Sequence, residues 1–264
     1  MKDTKMIILD LDQTLLRTNK TISDYTINVL NQCKETGIKI VYATARSKGA
    51  SKRFIERYEP DIFIGYGGAL VQVYVLSETP KIIYKAGIPA DISTAIITDL
   101  LNEPEVVSIL AINETVALTN DIDELSMTDN AHYTYTENLL DYNYSYLKIS
   151  TITANEEAME RIAAKYPTID MLRYSGEDLF RFVNQEALKW NAIQAIADYY
   201  DISTDQLIAF GDDIIDLEMI QKCGIGIAVA NAVPQIKSAA DYICGSNDDD
   251  GVAQWLESNL IIKK

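Results

Sequence analysis

The feature that most constrains this chain is a run of large apolar residues, Met6-Ile7-Ile8-Leu9, that stops abruptly at Asp10-Leu11-Asp12-Gln13-Thr14. Such a run reads as a strand buried in a sheet that delivers two carboxylates to the sheet's end. Carboxylates are almost never fully buried unless they are paired or bind a metal. Asp10 and Asp12 therefore call for a cation or a catalytic role, unless they merely cap a solvent-exposed turn.

The pattern recurs along the chain. Ser23-Asp24 precede apolar positions at helical spacing, Gly37 stops them, and Ile38-Lys39-Ile40-Val41-Tyr42-Ala43 forms a second strand that ends at Thr44-Ala45-Arg46. Strand, helix and strand make a βαβ unit, and a right-handed crossover sets the two strands parallel, so Asp10 and Thr44 emerge at one sheet edge. Residues 47–58 read as a helix and 61–64 as a third strand, followed by the glycine turn Gly65-Tyr66-Gly67-Gly68-Ala69 and a strand over 70–75. Beyond Lys189 the alternation returns. A helix over 190–199 and a strand over 207–210 lead to Gly211-Asp212-Asp213-Ile214-Ile215-Asp216, and again a strand ends in carboxylates. Helices over 217–222 and 233–240, strands over 226–229 and 242–244, and a terminal helix over 251–260 complete this part.

Between these halves, residues 85–186 have a different character. Helices are expected at 89–101 and 156–166, and strands at 106–111, 116–118, 147–152, 171–174 and 179–183, with an irregular tyrosine-rich stretch over 121–143. The expected division is a core segment over 1–84, an α+β insert over 85–186 and a second core segment over 187–264, with hinges near Pro89 and Asn184-Gln185.

Composition narrows the partners. The chain has 264 residues, 48% hydrophobic and 23% charged, which is ample for one large domain or two modest ones. A net charge of -16 argues against nucleic acid and anionic membrane surfaces as partners, so an anionic ligand would need local positive charge. Cys33, Cys223 and Cys244 are odd in number and widely spaced, which suits reduced thiols, and no apolar leader or membrane span is legible; a cytoplasmic location is expected.

In open α/β sheets, ligands bind outside the carboxyl ends of the strands, and here those ends carry Asp10, Asp12, Thr44, Asp212 and Asp216. Four gathered carboxylates repel one another, and an all-oxygen donor set suits a hard divalent ion, Mg²⁺. Zinc is disfavoured because His132 is the only histidine and no cysteine pair accompanies it, and a histidine-based triad fails for the same reason. The remaining parts suit phosphoryl transfer. One carboxylate can attack phosphorus, a second two residues on can act as acid and base, and Lys189 can supply positive charge.

Taken together, Asp-x-Asp-x-Thr-Leu after the first strand, Thr44 after the second, Lys189 after a long insert and Gly-Asp-Asp-x-x-Asp after a later strand resemble the four motifs of the haloacid dehalogenase superfamily. The insert position, the stretch Val229-Ala230-Asn231-Ala232-Val233-Pro234, the stretch 237–242 and Asp250-Gly251-Val252 are similar to its Cof-type, or type IIB, sugar-phosphatase branch. The resemblance implies a Rossmann-like parallel-sheet α/β core with an inserted α+β cap of the C2 type (C2B). It implies Asp10 as nucleophile, Asp12 as acid and base, Thr44 and Lys189 as stabilisers of phosphate and intermediate, and Asp212 as a Mg²⁺ ligand. The Asp12 carbonyl would join the metal, Asp216 would support it, and Arg46 and Asn231 would lie near substrate. The run Asp248-Asp249-Asp250 reads instead as a solvated turn and helix N-terminus.

The expected activity is a Mg²⁺-dependent phosphatase for small phosphorylated metabolites, sugar phosphates among them, acting through an aspartyl-phosphate. A phosphomutase of the same branch, or a weakened phospho-metabolite-binding protein, are the alternatives. Four positions depart from the family pattern: Gln13 and Gly67 where glycine and asparagine are usual, Ala45 in place of glycine, and Ile215 in place of asparagine. If position 13 needs a positive φ, glutamine there costs on the order of 1 kcal/mol. Ile215 removes a polar group from beside the metal position.

Overall fold

A computed structural model describes residues 3–73, 75–77, 79–123, 133–173 and 178–261. It divides into two compact units, Met1–Tyr84 with Leu188–Lys264, and Lys85–Ala187. In chain order the strands are β1 (Met6–Leu9), β2 (Lys39–Ala43), β3 (Ile62–Gly65), β4 (Leu70–Val73), β5 (Lys81–Lys85), β6 (Ser108–Ile112), β7 (Ala117–Thr119), β8 (Tyr133–Tyr135), β9 (Lys148–Ile152), β10 (Ile169–Arg173), β11 (Leu179–Asn184), β12 (Leu207–Gly211), β13 (Ile225–Ala228) and β14 (Tyr242–Ile243). The α-helices are α1 (Asp24–Glu35), α2 (Lys48–Arg57), α3 (Ala90–Leu101), α4 (Glu156–Ala163), α5 (Lys189–Tyr200), α6 (Leu217–Lys222), α7 (Pro234–Ala239) and α8 (Gly251–Leu256).

The first unit is built on one sheet in the order β14-β13-β12-β1-β2-β3-β4-β5. The pairs from β14 through β3 are parallel, and β4 runs antiparallel to β3. All four residues of β1 are fully buried, which requires cover on both faces. That cover comes from Val29 and Leu30 of α1, Phe54 and Ile55 of α2, Ile193 and Ile196 of α5, Met219 of α6 and Leu256 of α8, all in one apolar cluster with the strands. Ser23 and Ser47 cap α1 and α2 by accepting from Thr26 N and Ala50 N, and Gly37, at φ +86°, follows the end of α1.

The second unit is a sheet in the order β10-β11-β9-β6-β7-β8. Its pairs are antiparallel except β7 with β8. Ile96, Ile97 and Leu100 of α3 and Met159 and Ile162 of α4 pack with Ile109, Ile149, Phe180 and Phe182 of the strands. This is the α+β character expected of the insert.

The differences from the sequence reading fall where local pattern is weakest. Strand β5 is largely exposed, its short apolar run Ile82-Ile83-Tyr84 lying between two lysines, and β8 lies in the stretch expected to be irregular. The terminal helix ends earlier than expected, at Leu256, and continues as a π-helical turn over Glu257–Ile261. His132, Tyr74 and Tyr174, each included in a sequence expectation, lie outside the described residues.

Candidate active site

The site forms where β1, β2 and β12 end side by side. Asp10 N donates to Phe210 O at 3.1 Å, so the chain stays in register with β12 for one residue beyond β1 before turning. The turn then closes on itself, with Leu15 N donating to Asp10 O and Leu16 N to Leu11 O at 3.2 and 2.8 Å. Asp10 is thereby held 5% exposed at the mouth of the core.

Lys189, the first residue of α5, reaches this carboxylate from the far half of the unit. Its Nζ donates to Asp10 Oδ1 and to Asp216 Oδ1, each at 2.6 Å, and all three residues are buried. Gly68 sets the start of α5. It has φ +113°, and a Cβ there would fall 2.2 Å from Leu188 C and 2.6 Å from Lys189 N, so the glycine turn lies flush against the backbone that aims the lysine. Gly211 does the same for the acidic loop, since a Cβ on it would sit 2.6 Å from Asp216 Cβ. Asp216 Oδ2 accepts from Asp212 N and Asp213 N at 3.1 and 3.3 Å, which folds the loop around its own last carboxylate. Thr14 Oγ1 donates to Asp212 Oδ1 at 2.7 Å and ties the first strand-end turn to this one.

Thr44 follows β2 and is 1% exposed. Its Oγ1 accepts from Arg46 N at 3.1 Å, and its carbonyl accepts from Gly67 N at 3.0 Å. Asp12 faces a different set of partners. Arg46 Nε and Nη2 donate to its two oxygens at 2.6 and 2.8 Å, and Lys20 Nζ donates to Oδ1 at 2.7 Å.

Gln13 does adopt a left-handed backbone, at φ +61°. Its strain is braced from outside the turn: Asn231 Nδ2 donates to Gln13 O at 2.7 Å, and Asn247 Nδ2 donates to Gln13 Oε1 at 3.3 Å and to Leu16 O at 3.0 Å. Asn231 Oδ1 in turn accepts from Asn247 N at 3.0 Å. Both polar ends of Asn231 thus hydrogen-bond to protein atoms. The 248–250 run is, as expected, a solvated turn opening a helix, with Asp248 and Asp249 exposed and Asp250 partly buried. Asp250 pairs with Arg17, at 2.6 Å from Nη2, and Asp248 accepts from Thr18 N and Oγ1.

Charge balance explains what the pocket can hold. Carboxylate oxygens of Asp10, Asp212 and Asp216 lie within 4.8 Å of one another. Burial pushes the Asp10 carboxyl well above the usual carboxylate range; Lys189 opposes this, and Asp216 and Asp212 add to it. Burial likewise raises Asp212, to about 6, against its hydrogen bond from Thr14. Burial would deprotonate Lys189, yet Asp10 and Asp216 outweigh it and hold the ammonium charged. One ammonium against three carboxylates leaves a surplus of negative charge that favours retained protons, and a divalent cation would neutralise it. The donors are all hard oxygens, so the set fits Mg²⁺. Asp12 differs from these. Burial would raise it, but the hydrogen bonds from Arg46 and Lys20 prevail and hold it below its ordinary value.

A parallel α/β sheet with an α+β insert, and with acidic strand ends closed by one buried lysine, defines the haloacid dehalogenase class. The chain belongs to that family: the model of the haloacid dehalogenase-like hydrolases matches residues 7–256. It is 28% identical over 267 residues to a Haemophilus influenzae protein with a provisional phosphatase name, covering 97% of this chain and 98% of that one. It is 26% identical over 275 residues to the 5-amino-6-(5-phospho-D-ribitylamino)uracil phosphatase of Bacillus subtilis, covering 96% of each. A solved haloacid dehalogenase-like hydrolase from Bacteroides thetaiotaomicron shares the fold with a TM-score of 0.84 at 24% identity, over 97% of this chain and 99% of that one. The expected fold class and the expected hydrolase assignment, of the Cof type, both stand.

Sequence motifs led to Asp10, Asp12, Thr44, Arg46, Lys189, Asp212 and Asp216, and the structure gathers them at the strand ends. They did not lead to Lys20 or Asn247. Neither lies in a strand-end motif, and the only signal was a polar loop.

Proposed function

We propose that this chain is a Mg²⁺-dependent phosphatase that hydrolyses small phosphorylated metabolites, sugar phosphates among them, through an aspartyl-phosphate on Asp10. The observation that carries the reading is Asp10 held at a strand end by Lys189, with Asp212 and Asp216 alongside and Asp12 two residues on. A carboxylate oxygen of Asp10 attacks phosphorus, the bond to the leaving oxygen breaks, and Asp12, which must take up a proton against the pull of Arg46 and Lys20 before this step, gives it to that oxygen. Water then attacks the phosphorus of the acyl phosphate, Asp12 takes its proton, and phosphate departs. Lys189 stays protonated throughout, fixing Asp10 and offsetting charge on the phosphoryl oxygens, while the Thr44 hydroxyl, at the neighbouring strand end, serves the same oxygens.

Asp10, Asp212, the carbonyl of Asp12 and, in support, Asp216 would hold the Mg²⁺. When bound, it neutralises the phosphoryl oxygens. The unit over 85–186 is assigned as the substrate-selecting cap. Named substrates of relatives, including the pyridoxal phosphate of an Escherichia coli phosphatase 23% identical to this chain, support a small phosphorylated substrate. Among the described residues no helix is long and apolar enough to cross a membrane. The net charge of -16 disfavours nucleic acid and anionic membrane surfaces as partners, and a cytoplasmic location is part of this proposal.

The test is hydrolysis of p-nitrophenyl phosphate with and without Mg²⁺, in the unaltered protein and in Asp10→Asn. Turnover that needs the metal and is lost in the variant is expected. Metal-independent turnover, or a variant as active as the parent, would refute the mechanism.

A further inference from the structure

We infer that Lys20, together with Arg46, receives a second anionic group of the substrate, so that the preferred substrates are phosphate esters whose alcohol portion carries a carboxylate or a further phosphate. The inference names the substrate class for the phosphatase reading above and rests on it. Two cations converge on one carboxylate here. Lys20 Nζ lies 2.7 Å from Asp12 Oδ1, and Arg46 Nε and Nη2 lie 2.6 and 2.8 Å from its two oxygens. Two positive side chains outnumber a single carboxylate in either of its protonation states, so this side of the site keeps a surplus of positive charge. The chain as a whole carries -16, and an anionic molecule needs such a local reversal of sign to be held.

Lys20 is the member of the pair with donors to spare. An ammonium has three hydrogens, and among the described residues Lys20 Nζ hydrogen-bonds only to Asp12. Its side chain is 34% exposed, so a ligand can reach it. The distance also suits a substrate. A leaving oxygen within hydrogen-bond reach of Asp12 lies on the order of 6–8 Å from the Lys20 nitrogen, a gap that a two- or three-carbon alcohol ending in an anionic group spans. The transferred phosphoryl group, by contrast, is served by Lys189 and Thr44 at the strand ends. The loop is also built to keep the lysine in place. Its backbone is left-handed, at φ +60°, a conformation that disfavours any side chain and that glycine adopts freely. An exposed ion pair adds little stability, so pairing with Asp12 alone gives weak reason for lysine at this position. Arg17 N donates to Thr21 O and Lys20 N to Arg17 O, at 3.0 and 2.8 Å, closing the turn. Arg17 then forms a two-pronged pair with Asp250, and Thr18 donates twice to Asp248. A cation on a loop fixed in this way binds an anion with little further ordering.

The experiment measures kcat/KM on the Mg²⁺-loaded enzyme for two matched pairs of esters. Phosphoglycerate against glycerol phosphate adds a carboxylate, and fructose bisphosphate against fructose phosphate adds a second phosphate. The unaltered enzyme is expected to prefer the more charged member of at least one pair by about tenfold or more, as a hydrogen bond between charged groups provides. The pair that shows the preference identifies the anion. Lys20→Met is expected to lower that ratio by about tenfold, whatever it does to both esters in common, and Lys20→Arg, which keeps the charge, to retain most of it. A ratio that Lys20→Met leaves unmoved would overturn the inference, because it would mean that Lys20 serves the phosphoryl group or the fold. Hydrolysis of p-nitrophenyl phosphate with no preference in either pair would overturn it too, and would leave the phosphatase reading standing. If the unaltered enzyme turns over no ester with Mg²⁺, the phosphatase reading itself fails, and the inference fails with it.

Discussion

The Lys189 ammonium lies 2.6 Å from Asp10 Oδ1, joining residues 179 positions apart in one buried ion pair. The same nitrogen contacts Asp216, so a single side chain holds two of the three clustered carboxylates.

Lys189→Met removes the only positive group contacting that pair among the described residues and leaves buried carboxylates facing one another. Losing one partner of a buried pair costs about 3 kcal/mol or more. Urea unfolding of the metal-free protein should show that loss, and saturating Mg²⁺ should recover part of it by neutralising Asp10 and Asp216. Unfolding that matches the parent would mean that the ammonium is not balancing the cluster.

Gly68→Ala tests how α5 is aimed. The added methyl meets Leu188 C and Lys189 N, and alanine is also strained at φ +113°. A stability loss of about 2 kcal/mol or more is expected, accompanied by a fall in turnover as Lys189 moves away from Asp10. The paired measurement is thermal unfolding alongside p-nitrophenyl phosphate hydrolysis.

Gln13 separates backbone strain from side-chain bracing. Gln13→Gly relieves the left-handed conformation but gives up the bond from Asn247, and these effects, each about 1 kcal/mol, nearly cancel. Gln13→Ala keeps the strain and loses the bond, so it should be less stable than the parent by about 1 kcal/mol. Denaturant midpoints of the two variants, measured side by side, distinguish them.

Asp212 links metal to pH. Burial first, with Asp216 and Asp213 adding to it, raises its carboxyl to about 6, while Thr14 and Lys189 oppose the shift. Because the folded value lies above the unfolded one, this group's stabilising contribution is full below about pH 4 and is lost as pH rises through about 6. Mg²⁺ requires the ionised form, so its affinity should weaken as pH falls below about 6, and binding there should release protons. Calorimetric titrations in buffers of different ionisation enthalpy would detect that release; identical heats at pH 5.5 and 8 would argue against Asp212 as a ligand.

The core was legible in the sequence where burial leaves a local trace. Runs such as Met6–Leu9 and Leu207–Gly211 are apolar because both faces of their strands are covered, and each ends in the polar residues that the site needs. Strand β5 left only a short trace, Ile82-Ile83-Tyr84 between two lysines, because it lies largely exposed at the sheet edge. Lys20 and Asn247 were invisible for a different reason. Each acts through one side-chain tip on a residue from another segment, and nothing in a polar loop encodes that contact.

The sequence alone determined which core strands end in carboxylate or hydroxyl and that a lysine follows the insert near the start of a helix, because hydrophobic periodicity and glycine stops are local properties of the chain. Only the tertiary structure decided that Lys189 bridges Asp10 and Asp216, that Arg46 and Lys20 close on Asp12, and that Asn231 and Asn247 hold Gln13 in a left-handed turn. Those pairings arise when the parallel sheet brings distant strand ends together and burial forces each charge to find a partner.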